Sequence, residues 1–151
     1  MYGAVLLIHS WLRWIALVAA VGVTLAAVRN RVEGDRSIAD RWGLVAMMAL
    51  DFQMLLGLLL YFALSPFTTE ALQNFSAAMK NPLLRFWAVE HFAPMFAAVI
   101  LAHVGRALAR KARASSAKRT RLLVCFGLAT LLIILGTPWP GLANGRPLFR
   151  L

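Results

Sequence analysis

The sequence predicts an all-α fold: a bundle of four transmembrane helices with both termini on the outer side of the membrane. Three observations predict it. The 151 residues are 61% hydrophobic, against about half in a soluble domain. Four apolar runs each approach the ~20 residues that a membrane crossing needs. The connections between them are polar, and their Lys and Arg residues cluster in alternate loops. The length leaves room for one membrane domain, 1–151, and no additional soluble module.

The first run covers about 5–28 and carries no basic residue before it. Its positive charges follow, at Arg29 and Arg31, so it reads as a retained helix with an outer N-terminus rather than a cleaved leader. The second run covers about 43–64, after the mixed-charge stretch "RNRVEGDRSIADRW". The next connection, "SPFTTEALQNFSAAMKNP", holds two prolines. Between Thr69 and Met79 its apolar residues Ala71, Leu72, Phe75 and Met79 recur at helical spacing, which predicts a short amphipathic helix on the membrane surface. The third run covers about 83–104. The fourth, about 122–136, is short unless it tilts or recruits Thr120 and Arg121 or the Pro138–Pro140 end. Prolines and glycines in "GTPWPGLANGRPLFRL" forbid a long helix in the tail.

Charge sets the orientation. The formal net charge is +10, and seven basic residues (Arg106, Arg110, Lys111, Arg113, Lys118, Arg119 and Arg121) crowd the third connection without an acid. Beside apolar spans such a cluster marks a cytoplasmic loop, and no nucleic-acid-binding motif accompanies it. The first connection carries four basic residues and the second only Lys80, with Arg85 near its end. The first and third connections are therefore cytoplasmic. The second connection and both termini face outward, to the periplasm of a bacterium, in a multi-pass protein of the bacterial inner membrane. The single Cys125 has no CxxC or CxxCH context, which excludes a covalently attached c-type haem and leaves it a packing residue.

The chain has no Walker loop, GxGxxG, HExxH or GxSxG. The informative residues are the polar ones inside the spans: His9, Arg13, Asp51, Gln53, Glu90, His91 and His103. Ionisable groups there cost a few kcal/mol by insertion scales and mark functional candidates. At 1.5 Å per residue, His9 lies about 6 Å and His91 about 12 Å inside the outer ends of their helices. With uncertain boundaries the two can be level. Two neutral imidazoles facing each other across a shared ligand is the arrangement of bis-histidine haem b. Ala16 and Ala20 follow His9 on its face, and Pro94, Ala98 and Ala102 follow His91, with Trp87 one turn before it. Such small-residue stripes make room for a flat cofactor, or else serve close helix packing.

Arg13, one turn from His9, is placed either to bind haem propionates or to snorkel or pair with Glu90 or Asp51. Arg85, Arg146 and Arg150 are further outer-half arginines within reach. Gln53 lies near mid-membrane, where it can bond the cofactor or a partner histidine. Trp11, Trp14, Trp87 and Trp139 suit an interfacial belt. His103 lies about 18 Å beyond His91, rotated by about 120°, and cannot share its ligand. It reads as an interfacial histidine, a haem ligand with Met47 or Met48, or a protonatable pair with Asp51 at a quinone headgroup.

The stretches "HSWLRW", "QMLLGLLLYF", "RFWAVEH" and "PWP…GRPLFR" resemble small bacterial four-helix membrane proteins labelled cytochrome b or cytochrome b-like, over nearly the whole chain. More loosely, the plan is similar to the cytochrome b561 type, in which helix-borne histidines hold haem b. The resemblance implies one non-covalent haem b with His9 and His91 as axial ligands of the iron; Arg13, Gln53, Arg85 and Trp87 are, from their positions, the residues expected around it. The two-haem kind needs four histidines; this chain has three, which argues for one haem at most and against a complete transmembrane electron path. The expected function is single-electron transfer at the outer face, with a quinol among the candidate donors, and not necessarily as an enzyme in its own right. Two alternatives stand beside it. One is an accessory subunit of a larger respiratory or photosynthetic complex. The other is a quinone- or proton-handling protein using Asp51 and His103. Other membrane subunits or a second copy are the expected partners.

Overall fold

The computed structural model describes residues 1–34 and 36–149, and every regular element among them is helical. The elements are α1 (Tyr2–Val28), α2 (Ile38–Leu64), α3 (Pro66–Gln73), α4 (Phe75–Ala78), α5 (Pro82–Arg110) and α6 (Ser115–Gly136). Of these, α1, α2, α5 and α6 are long and apolar enough to cross a membrane. They run alternately up and down. One end of the bundle carries the start of α1 and the C-terminal tail; the other carries the basic connections. We call these the tail end and the basic end.

α2, α5 and α6 extend past their apolar runs into polar sequence at the basic end, while α1 ends at Val28 as expected. Local chemistry explains this. α2 starts early because Ser37 and Asp40 form a capping box, with the Ser37 hydroxyl accepting from the Asp40 N–H at 3.2 Å. α1 stops before Asn30, whose positive φ of 56° turns the chain. The Arg31 N–H then reaches back to Ala26 O at 2.8 Å, the bond that closes a Schellman turn. α6 makes up its length from the basic side, Ser115–Arg121, and not from the proline end.

The basic residues are partly absorbed by this end. Arg106 donates to Asp40 O in the first turn of α2, while Arg119 donates to Ala27 O and Arg121 to Leu108 O, in the last turns of α1 and α5. Cations at helix C-termini satisfy free carbonyls and complement the helix dipole. Lys118 pairs with Asp40 at 2.6 Å, where both side chains are largely buried.

The amphipathic helix expected over 69–79 is two short helices. Asn74 breaks it: its φ and ψ of −143° and 80° are non-helical, and its side chain caps α4 by accepting from Ala77 N–H. The break also divides the expected apolar face. Ala71 is buried and Met79 packs inward, but Leu72 and Phe75 are exposed.

α1 packs closely on α2 and α6, and α5 on α6; α2 and α5 meet more loosely. In the middle and basic half the bundle is closed by small residues, with Ala16, Ala19, Ala20, Ala46, Ala98, Ala102 and Ala129 all buried around Val23, Leu122 and Phe126. Gly105 lets α5 approach α6, since a Cβ there would collide with Cys125. Close backbone approach at small residues is what holds apolar helices together where no hydrophobic effect acts between them. The stripes that begin at His9 and His91 therefore serve packing: Ala16, Ala20, Ala98 and Ala102 lie in this closed core and make no room for a cofactor.

Candidate functional site

Above the alanine layer, towards the tail end, the helices part around a partly open cavity of about 120 Å³. His9, Arg13, Gln53, Trp87 and His91 all line it, as do Tyr61 and Arg146. The His9 and His91 rings, from α1 and α5, face each other with centroids 6.4 Å apart and planes at 69°.

His91 is oriented by the backbone around it. Pro94 has no N–H, and its ring would press on the carbonyl of Glu90 four residues earlier. The helix widens just before it into a π-turn, Phe86–Glu90, closed by His91 N–H to Phe86 O at 2.8 Å. Single π-turns of this kind frequently occur at functional sites. A second π-turn, Leu60–Leu64, ends α2 before Pro66. It carries Tyr61, whose hydroxyl donates to Ala88 O in the first π-turn at 2.9 Å. The two irregular turns are thus bonded across the helix gap beside the cavity.

The His91 Nδ1 lies 2.7 Å from Gly136 O. A carbonyl can only accept, so Nδ1 carries the proton and Nε2 keeps its lone pair. This is how a metal-ligating histidine is commonly held: one ring nitrogen donates to a carbonyl and the other is available. The His9 ring lies against Gly57 of α2, where a Cβ would stand 3.4 Å from its Cε1. Gly57, and not the alanine stripe, makes the space for this imidazole. The Gln53 amide donates to His9 O at 3.0 Å.

Four buried side-chain polar atoms lack a hydrogen-bond partner among the described residues: His9 Nδ1, Arg13 Nε, Gln53 Oε1 and Trp87 Nε1. All four residues line this cavity. Buried polar groups are nearly always satisfied, so orphans gathered at one place point to a ligand rather than to poor packing.

The arginines divide. Arg13 is not paired with Glu90 or Asp51; one of its terminal nitrogens donates to Leu148 O at 2.9 Å, and its guanidinium lies 4.9 Å from the Trp14 ring. Arg85 donates to Glu90 at 2.6 Å and to Met79 O, and it does not line the cavity. Its carboxylate partner sits five residues on. Arg146 takes the place at the rim, stacked over Trp87 and Phe67 at 5.1 and 5.4 Å. Arg150 lies outside the described residues. The Trp14 indole donates to Leu148 O and ties the tail to α1, while the Trp139 indole donates to Ile134 O and caps the end of α6.

Asp51 and His103 also meet. Asp51 Oδ1 is 2.7 Å from His103 Nε2, on the flank where α2 and α5 pack loosely. Neither lines the cavity.

Sequence reasoning missed Gly57, Tyr61 and Phe67. Gly57 had a signal, a lone glycine inside an apolar helix. Tyr61 had one as a phenol in an apolar run. Phe67 had none.

Fold and site together define an all-helical bundle with a mainly apolar cavity between its helices, into which a few polar side chains are set. No protein-family model, curated protein or solved structure matches the chain. Among the described residues no group of three or more His, Cys, Asp or Glu side chains is placed to hold a metal ion by protein ligands alone.

Proposed function

We propose that the chain is a membrane cytochrome that holds one b-type haem non-covalently between His9 and His91 and passes single electrons at the outer face of a bacterial inner membrane. The observation that carries this reading is the close approach of two imidazoles that line one cavity, among residues with four orphaned buried polar atoms.

The residues present fit the group. Two imidazoles that ligate one metal from opposite sides stand roughly 6 Å apart between centres, with metal–nitrogen bonds of about 2 Å. The observed separation is 6.4 Å. A porphyrin brings its own four nitrogens to the iron, so two protein ligands suffice where a bare ion would need more. When bound, the haem would supply reversible one-electron chemistry. The chain's part is to hold it. The Gly136 carbonyl fixes the His91 tautomer, and Gln53 anchors the backbone at His9. Arg13 and Arg146 bring positive charge to the rim for the propionates, and Trp87 and Phe67 supply flat apolar walls. The basic connections orient the bundle with the cavity outward.

Spectroscopy on the purified protein tests this. Wild type expressed with ample haem shows a b-type α-band in the reduced-minus-oxidised spectrum, and His9→Ala and His91→Ala each lose it. A colourless wild type would refute the reading.

A second reading, an accessory subunit of a larger membrane complex, is favoured by the polar Asp51–His103 pair on the open flank of α2 and α5.

A further inference from the structure

Asp51 is the middle residue of α2, thirteen residues from each end of Ile38–Leu64. Within the apolar run 43–64 it lies, at 1.5 Å per residue, about 12 Å from the basic end and about 20 Å from the tail end, deep inside any bilayer the helix crosses. His103 reaches it from α5. Helix side chains lean towards the N-terminus of their own helix. His103 therefore leans towards the tail end and Asp51 towards the basic end, and they meet at 2.7 Å. The pair is not covered. The His103 side chain is 47% exposed and that of Asp51 41%. The residues around it on the same flank, Met48 and Leu55 on α2 and Phe96 and Ile100 on α5, are exposed and apolar.

A carboxyl–imidazole pair open to hydrocarbon is costly, because lipid offers it no hydrogen bonds. A half-covered pair of this kind marks a polar contact with something that enters from the side. A small headgroup is a poor occupant: binding sites for small molecules are concave and enclose most of the ligand, while this pair stands on a flank outside the cavity. A second copy of the chain fits better. The pair sets an acceptor beside a ring nitrogen, so a two-fold axis next to it brings each Asp51 to the other copy's His103. Isologous contacts are self-complementary in this way, and polar side chains join helices across membrane interfaces.

We propose that the chain is a homodimer whose two-fold interface is the α2–α5 flank, with Asp51 and His103 of both copies forming one four-membered polar cluster between apolar layers of Met48, Leu55, Phe96 and Ile100. The pairing depends on the bundle lying in a membrane, as proposed above, and is independent of the haem.

Two measurements on the full chain test it, neither of which reads the cofactor. Single-molecule photobleaching of labelled protein in liposomes counts copies. Wild type bleaches in two steps, and Asp51→Asn with His103→Gln lowers the association constant by at least tenfold. Oxidative cross-linking in native membranes maps the face without disturbing the pair. In a Cys125→Ala background, Ile100→Cys and Met48→Cys form covalent dimers, while Leu135→Cys, exposed on α6, does not. Wild type that bleaches in one step at every protein-to-lipid ratio would overturn the proposal, as would equal cross-linking at Leu135→Cys. A single-step protein whose His103 imidazole resonances shift on adding a short-chain quinone would overturn it in favour of a headgroup site. Covalent adducts only to a different subunit would overturn it in favour of a mixed complex.

Discussion

Gln53 makes one bond and leaves one group stranded, so replacing it has effects of opposite sign on the empty and the loaded protein. In Gln53→Leu the amide no longer donates to His9 O, a bond of 3.0 Å. Side-chain hydrogen bonds between membrane helices are worth about 0.6 kcal/mol on average and about 1.7 at most. The same substitution removes Oε1, which is buried without a partner among the described residues. An unsatisfied buried group costs about 1–3 kcal/mol. The second effect outweighs the first, and the apo-protein gains on the order of 1 kcal/mol, about a fivefold shift in its unfolding equilibrium. Binding of a ligand that uses Oε1, or that needs the His9 backbone anchored, weakens in the same variant by about three- to tenfold, the worth of roughly one hydrogen bond. Unfolding in mixed detergent micelles, with and without added haem, measures both arms. An apo-variant destabilised by more than 1 kcal/mol would show that Gln53 is a structural strut, and unchanged haem affinity would show that it plays no part in the site.

Three further outcomes are expected. Tyr61→Phe removes the bond to Ala88 O that joins the two π-turns; it costs about 0.6 kcal/mol, roughly a threefold change in the unfolding equilibrium, and speeds amide exchange just before His91. Asp40→Asn leaves Lys118 without its carboxylate in a pocket where their side chains are only 13% and 16% exposed; it costs about 3 kcal/mol, and the double variant with Lys118→Met recovers most of the loss in a double-mutant cycle. Gly105→Ala places a Cβ against Cys125 and forces α5 from α6, so folded yield in detergent falls sharply, and Cys125→Gly in the same chain restores it.

The long helices were legible because apolar length and basic loops are one-dimensional signals. Their ends were not. A capping box at Ser37–Asp40 and arginines reaching carbonyls on other helices let the backbone stay helical well into polar sequence. The break at Asn74 follows from its capping of α4, which hydropathy does not register. At the site, the meeting of His9 with His91 on the parallel helices α1 and α5, and of Asp51 with His103 on the antiparallel helices α2 and α5, could be anticipated from depth along the helices. What surrounds them could not. The alanine stripes have the same spacing whether they pack helices or face a cofactor, and only the position of α6 shows that they pack. Arg13 found a tail carbonyl, an acceptor with no sequence signature, and Arg85 found Glu90 through a π-turn that changes the helical period between them.

Electron paramagnetic resonance of the ferric protein, prepared with ¹⁵N-histidine, tests most directly whether His9 and His91 share one iron. The expected result is a single low-spin haem per chain with two histidine nitrogens coupled to the iron, one coupling lost in His9→Ala and the other in His91→Ala. A high-spin haem with one histidine ligand, or a low-spin signal that survives either substitution unchanged, would contradict it.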